Sequence, residues 1–220
     1  MDFLSFISFI FAILLGYVVG SVNFSIIVTK YVGKFDIHTK GSGNAGGTNV
    51  ARTMGAKYGI SVMLIEFVKC LLVGLFCRYI FPVDPFSLGF IGPIFSGYAA
   101  VFGCLIGNIF PMFHGFSGGG KGVVVTAASI CLVDWRIFLV LLAVFLVIFF
   151  ITRMVSAGSL VGALAIPVCV TVVYRGYEYW YLLLIIAILM SAVVIIRHRK
   201  NIVRIFKGEE NKFSFGRKNR

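Results

Sequence analysis

Residues 123–151 read VVVTAASICLVDWRIFLVLLAVFLVIFFI, and how this run crosses a bilayer decides how many spans the whole chain has. As one helix it buries Asp134 and Arg136 in hydrocarbon, at about 2.5–3.5 kcal/mol each on insertion scales. As two helices, 122–134 and 136–152, it turns at Asp134-Trp135-Arg136 and keeps both charges out of the apolar layer. The first piece is then short: about 13 residues rise only about 20 Å, against a hydrocarbon core of roughly 30 Å. A span that short implies that the glycine-rich segment before it is supported by protein rather than by lipid. A single helix also changes the parity of the chain and places either the tail or the first loop's cations on the wrong side, so the two-helix reading is preferred.

Working outward, the chain is 60% hydrophobic over 220 residues, with mean hydropathy +1.01. Soluble domains are nearer half apolar. The spacing predicts an all-α, polytopic membrane protein with seven transmembrane helices at about 3–27, 58–80, 93–110, 122–134, 136–152, 157–174 and 178–197. They form one transmembrane domain over residues 1–220, with a basic tail at 198–220. The N-terminal segment lacks a basic n-region and a small-residue cleavage site, so it reads as the first span rather than a removable leader. The five cysteines all fall in apolar segments without a C-x-x-C pair, as buried small hydrophobes do.

The net charge of +12 would suggest nucleic acid in a soluble protein. Here the cations sort by loop. With the C-terminus in the cytoplasm, Lys30, Lys34, Lys40, Arg52, Lys57, Lys121, Arg153 and every basic residue from Arg197 onward share that side. Only Arg78, Arg136 and Arg175 face the other, and Lys69 falls within a span. The positive-inside rule then sets the N-terminus outside and leaves no call for a nucleic-acid partner.

Three polar islands interrupt the apolar sequence on the cytoplasmic side: GSGNAGGTNVAR at 41–52, GNIFPMFHGFSGGGKG at 107–122 and RHRKNIVR at 197–204. In the first, Gly41 and Gly43 allow close backbone approach and positive φ. Successive N–H groups can then form an anion nest. Ser42, Asn44, Thr48 and Asn49 add donors, and Arg52 adds a planar fork suited to phosphate. The second island superficially resembles a nucleotide-binding loop. A membrane span precedes it and Gly122 follows Lys121, so the strand and the Mg²⁺-binding hydroxyl of that motif are missing. What survives is an anion cradle of Gly118, Gly119 and Gly120 amides at a helix start, with Lys121 as a point charge. In the third, Arg197, Asn201 and Arg204 share a helix face, and His198 and Asn201 are i, i+3 neighbours. Glu66 and Lys69, also i, i+3, form a candidate ion pair within the second span.

The three islands contain no carboxylate, which argues against a Mg²⁺-dependent phosphotransferase and a two-carboxylate mechanism. No histidine is followed five positions later by Asp, and no cysteine lies in an island. What remains is a transfer without metal or cofactor between two anionic substrates, held by cations and amides.

The ordered motifs GSxNF at 20–24, GSGNxGxTNxxR at 41–52, GNxFPxFxGFxGGGKG at 107–122 and RHRxNIxR at 197–204 closely resemble the bacterial acyl-phosphate:glycerol-3-phosphate acyltransferase family, from about residue 16 to about 208. The resemblance implies a multi-pass inner-membrane enzyme. It would acylate the sn-1 hydroxyl of glycerol-3-phosphate from acyl-phosphate, giving lysophosphatidic acid and phosphate for phospholipid synthesis, with membrane lipid around it. Ser42, Asn44 and Arg52 match the first family motif, Lys121 the glycine-loop lysine, and His198 and Asn201 the third motif. Lys69 matches a lysine of the second span. Glu66 stands where the family usually has Asp, Asn108 where it usually has His, and Cys70 where it usually has Gly. The glycine loop is one residue longer than usual. The candidate catalytic residues are therefore Ser42, Asn44, Lys121, His198 and Asn201. The candidate substrate-binding residues are Gly41, Gly43, Thr48, Asn49, Arg52, Lys69, Gly118, Gly119, Gly120, Arg197 and Arg204. The base is His198 or the substrate's own phosphate. An anion transporter is the alternative function, supported only by Glu66 and Lys69.

Overall fold

The computed structural model describes residues 3–80 and 92–213. Arg217, Lys218 and Arg220 of the expected basic tail lie outside them. Among the described residues the regular elements are helical: α1 (Phe3–Ser21), α2 (Phe24–Tyr31), α3 (Gly47–Met54), α4 (Ala56–Leu75), α5 (Gly92–Ile109), α6 (Val123–Val133), α7 (Trp135–Thr152), α8 (Val155–Tyr174), α9 (Trp180–Arg197) and α10 (Arg199–Phe206). Six helical stretches among the described residues are long and apolar enough to cross a membrane, and α6 is a further, shorter apolar helix. The chain forms two compact units, residues 1–135 and 136–220.

The run at 123–151 is two helices. The first ends at Val133, Asp134 is extended with φ −151°, and the next starts at Trp135. Eleven residues rise about 16 Å, too short for a lipid-facing span. Burial of Val125, Ala128, Ile130 and Leu132 makes α6 a protein-packed helix instead. Its last turn leaves carbonyls without intrahelical partners, and the Arg78 guanidinium donates to one of them, that of Leu132.

The first span differs from the unbroken 3–27 expected from hydropathy. It breaks at Val22-Asn23 and continues as α2. Asn23 causes the restart, because its Oδ1 accepts the Ile26 N–H at 3.2 Å as an N-cap. A break inside an apolar helix exposes backbone groups that lipid cannot satisfy. On α4, Lys69 Nζ donates to the Val22 carbonyl at 2.6 Å, and Glu66 Oε1 accepts the Phe24 N–H at 2.7 Å. The two side chains pair at 2.6 Å, with Glu66 only 5% exposed.

Against α5, α1 packs backbone to backbone through glycines at i, i+4 on both helices. A Cβ on Gly16 would lie 1.8 Å from the Ala100 carbonyl oxygen, and one on Gly107 2.2 Å from that of Tyr17. Small residues at this spacing permit such close crossings where no hydrophobic force separates helix from lipid.

In the second unit, α8 and α9 pack side by side. After α10 the chain returns to the turn between α7 and α8. There the Phe213 N–H donates to the Arg153 carbonyl at 2.7 Å, and the Phe213 ring meets Phe149 edge-on at 5.9 Å.

Candidate active site

The first island is a loop folded around a buried amide. Asn49, on α3 and 1% exposed, accepts the Ser42 N–H through Oδ1 at 2.8 Å. Its Nδ2 donates to the Lys40 carbonyl at 3.0 Å and to that of Ile37 at 3.3 Å. Asn49 thus shapes the loop that presents Ser42, Gly43 and Asn44. Gly41 has φ 62° and lies so close to Asn49 that an added Cβ would sit 2.2 Å from Oδ1. Ser42 is exposed, whereas Asn44, Thr48 and Arg52 are half-buried. Thr48 and Arg52 share a face of α3 at i, i+4. The N-cap of α3 is Gly46, which supplies no side-chain cap, leaving the helix's positive end toward the loop.

The second island folds against the first. Asn108, buried at the end of α5, backs the glycine loop: its carbonyl accepts the Gly120 N–H at 2.9 Å. A Cβ on Gly119 would lie 2.2 Å from the same oxygen. Gly119 and Gly120 are buried, Lys121 is half-buried, and Gly118 has φ 72°. The Ala45 carbonyl is the meeting point. Asn23 Nδ2 donates to it at 3.3 Å, and a Cβ on Gly120 would lie 3.2 Å away. The motifs at 20–24, 41–52 and 107–122 therefore converge within one unit.

A second link was not visible as a motif. Asp36 caps the short helical turn Ile37–Thr39, accepting the His38 N–H at 2.9 Å. The His38 ring contacts Asp36 Oδ1 through Nδ1 and the Gly118 carbonyl through Nε2, both at 2.8 Å. Burial opposes charge on the ring, but these two acceptors outweigh it and raise the His38 pKa above its ordinary 6.5. The His38 backbone and side chain hold the Asp36 carboxyl below the usual carboxylate range.

The third island lies in the second unit. His198 joins α9 to α10 and is 2% exposed. Its Nδ1 contacts the Val194 carbonyl at 2.8 Å. A carbonyl only accepts, so Nδ1 carries the proton and the neutral ring has its lone pair on Nε2. The Asn201 N–H donates to the His198 carbonyl at 2.8 Å, which fixes the two residues in register. Arg197, in the last turn of α9, precedes His198.

Glu210 completes this island and brings a carboxylate into an arrangement expected to have none. Its Oε1 accepts from Asn201 Nδ2 at 2.7 Å and Ser156 Oγ at 2.8 Å, and its Oε2 from Arg204 Nε at 2.8 Å. Burial alone would raise its pKa. The donors from Arg204, Asn201 and Ser156 outweigh burial and hold it below the ordinary value. The signal in the sequence is faint: Glu210 and the adjacent Glu209 are the only carboxylates in the otherwise basic tail.

Lys69 stands at the break in the first span, bonded to Val22 and Glu66. The pair thereby has a role in holding that break, which removes the observation on which a transporter rested. Among the described residues no three His, Cys, Asp or Glu side chains gather as metal ligands.

Residues 10–208 match the family described as glycerol-3-phosphate acyltransferase. The chain belongs to the glycerol-3-phosphate acyltransferase family. A glycerol-3-phosphate acyltransferase of Chlorobaculum tepidum is 35% identical, with 97% of this chain and 100% of that one covered. Two crystal structures of PlsY (YgiH), an integral membrane glycerol 3-phosphate acyltransferase, superpose with TM-scores of 0.79 and 0.76. Each is 32% identical, covering 94% of this chain and 96% of the other. One is the glycerol 3-phosphate form and the other the lysophosphatidic acid form. Membership in this family makes the chain an acyltransferase.

Proposed function

We propose that this chain acylates glycerol-3-phosphate at its sn-1 hydroxyl, using acyl-phosphate as donor and releasing lysophosphatidic acid and inorganic phosphate. The observation that carries this reading is the convergence of the two glycine loops, one leading into the helix α3 that carries Arg52 and the other bearing Lys121, around the Ala45 carbonyl. Two anionic substrates need two cationic cradles, and amide-rich loops supply them without metal.

The substrate hydroxyl oxygen attacks the acyl carbon, and the bond from that carbon to the phosphate oxygen breaks. Phosphate leaves with the electron pair, and the hydroxyl proton passes to a base. Arg52, Lys121 and the loop amides other than those of Gly43 and Gly120, which donate to the Lys40 and Asn108 carbonyls, hold the phosphates, with Thr48, Arg197 and Arg204 as further phosphate contacts. Positioning of this kind removes up to about 7–11 kcal/mol from a bimolecular barrier. Asn44 or loop amides stabilise the developing oxyanion. His198 Nε2 is suited to accept the proton because Nδ1 is engaged by Val194, with the substrate phosphate as the other base. Asn201 orients its neighbour His198, Asn49 shapes the loop around Ser42, and Lys69 acts through the break at Val22.

The chain lies in the bacterial inner membrane, N-terminus outside and C-terminus in the cytoplasm. The cation asymmetry supports that orientation. Cysteine accessibility at residues 2 and 215 in intact cells checks it: only the N-terminal site should react with an impermeant reagent.

Purified enzyme with glycerol-3-phosphate and either acyl-phosphate or acyl-CoA is the deciding assay. Product from acyl-phosphate alone is expected, with Lys121→Ala and His198→Ala each reduced at least about a hundredfold, as removal of a transition-state contact does. Wild-type rates in both variants would overturn the assignment of roles.

A further inference from the structure

We propose that His38 is a positioning residue: its doubly protonated ring ties the glycine loop at Gly118 to the first loop at Asp36, and so holds the segment carrying Lys121 against the segment carrying Ser42. The inference rests on the acyl-transfer reading only for its functional consequence, since the tie itself is a matter of geometry.

The chemistry of the two contacts carries it. Nδ1 faces a carboxylate oxygen and Nε2 faces a carbonyl oxygen, each at 2.8 Å. Neither oxygen can donate. A neutral imidazole has one N–H and one lone pair, so it satisfies only one of them and sets its lone pair against the other. The imidazolium satisfies both. The surroundings fit that task. The Asp36 carboxylate also accepts the His38 N–H, which fixes ring and carboxylate in one turn. Gly118 leaves room for the ring, as a Cβ there would lie 2.6 Å from Nε2. On the other side, a Cβ on Gly43 would lie 3.1 Å from the His38 carbonyl oxygen. The His38 ring thus contacts the second glycine loop, while its backbone borders Gly43 of the first.

The charged groups bearing on this ring come from several elements. Asp36 belongs to its own turn, and the Gly118 carbonyl to the glycine loop. The His114 ring precedes that loop, interacting with His38 and with Lys30 on α2. Asp36 is the one carboxylate among them. The His38 pKa is raised in the folded protein, so the tie is fully formed below pH 6.5 and is lost as pH rises through the raised value. Arginine at this position keeps several donors and a permanent charge.

The protein contains three histidines, so ¹³C labelling of the imidazoles in detergent-solubilised full-length enzyme, with His114→Gln and His198→Gln for assignment, reads His38 directly. Its titration midpoint should exceed 6.5 and fall in Asp36→Asn. Protection of the 117–121 amides, relative to their intrinsic exchange rate at each pH, should fall in wild type as pH rises through that midpoint, and should be low at all pH values in His38→Ala. The kcat/KM of His38→Ala should drop about ten- to hundredfold, the range for a hydrogen bond to a charged group. His38→Arg should recover activity and abolish the alkaline decline attributable to the tie. A midpoint below 6.5, or loop exchange unchanged in His38→Ala, overturns the proposal. Absence of acyl transfer in wild type would overturn the function instead, because titration and exchange are read without turnover.

Discussion

The side-chain oxygen of Asn49 lies 2.8 Å from the backbone nitrogen of Ser42, seven residues earlier, and accepts its hydrogen. This bond, with the two that Nδ2 donates, makes the loop before α3 a consequence of one buried amide. Asn49→Ala leaves the Ile37 and Lys40 carbonyls and the Ser42 N–H without it, at about 1–3 kcal/mol for each group that stays buried. We expect a lower melting temperature and a kcat reduced more than tenfold. Asn49→Asp keeps the acceptor for Ser42 but sets a buried oxygen against the Ile37 and Lys40 carbonyls, and should be at least as damaging. Thermal unfolding in detergent and steady-state kinetics check both.

At the break in the first span, Lys69→Met leaves Glu66 charged and buried without its cation. Removing one member of such a pair costs about 3–5 kcal/mol. The double variant Lys69→Met with Glu66→Gln keeps an acceptor for the Phe24 N–H and should recover roughly half of that loss, a coupling expected only of groups in contact. Additive destabilisation in the cycle would contradict the geometry.

Two alanine substitutions in the glycine loop should differ sharply. Gly119→Ala drives a methyl to within 2.2 Å of the Asn108 carbonyl oxygen, a backbone atom that cannot swing away. Gly115→Ala meets open space, although its φ of 67° carries strain of about 1–2 kcal/mol. We expect Gly119→Ala to lose activity and Gly115→Ala to retain most of it, measured as kcat/KM for glycerol-3-phosphate.

Glu210 should make the second unit sensitive to acid. Its folded pKa is depressed, so its contribution is present above the unfolded value near 4.5 and disappears as pH falls through the lower folded value. Protection of the α10 amides, relative to their intrinsic exchange rate, should drop below that point. In Glu210→Gln it should already be low at neutral pH, and the acid step attributable to this carboxylate should be gone.

The helices were legible where apolar runs met charge. Asp134 and Arg136 marked the α6–α7 break because neither tolerates hydrocarbon. The first-span break was not legible, because Ser21, Asn23 and Ser25 carry no charge and the cost of the break is met by Glu66 and Lys69 more than 40 positions away. The polar islands announced themselves by composition. Composition, however, did not separate a residue that shapes a loop from one facing substrate, and Asn49 shows why: an amide is equally suited to either task. His38 and Glu210 escaped notice because their meaning lies in their partners, Gly118 and Asn201, brought close only by folding.

The pairing of α4 with the interrupted first span also constrains how the chain is made. Until Val22 and Phe24 reach it, the Glu66–Lys69 pair must partition into lipid with each charge satisfied by the other alone, while the open turn at Asn23 carries its own unmet polarity. Each segment is thus a poor client for release from the insertion machinery by itself. We expect the nascent α1–α2 piece to remain near the translocon until α4 emerges, making the two an obligate pair in biogenesis.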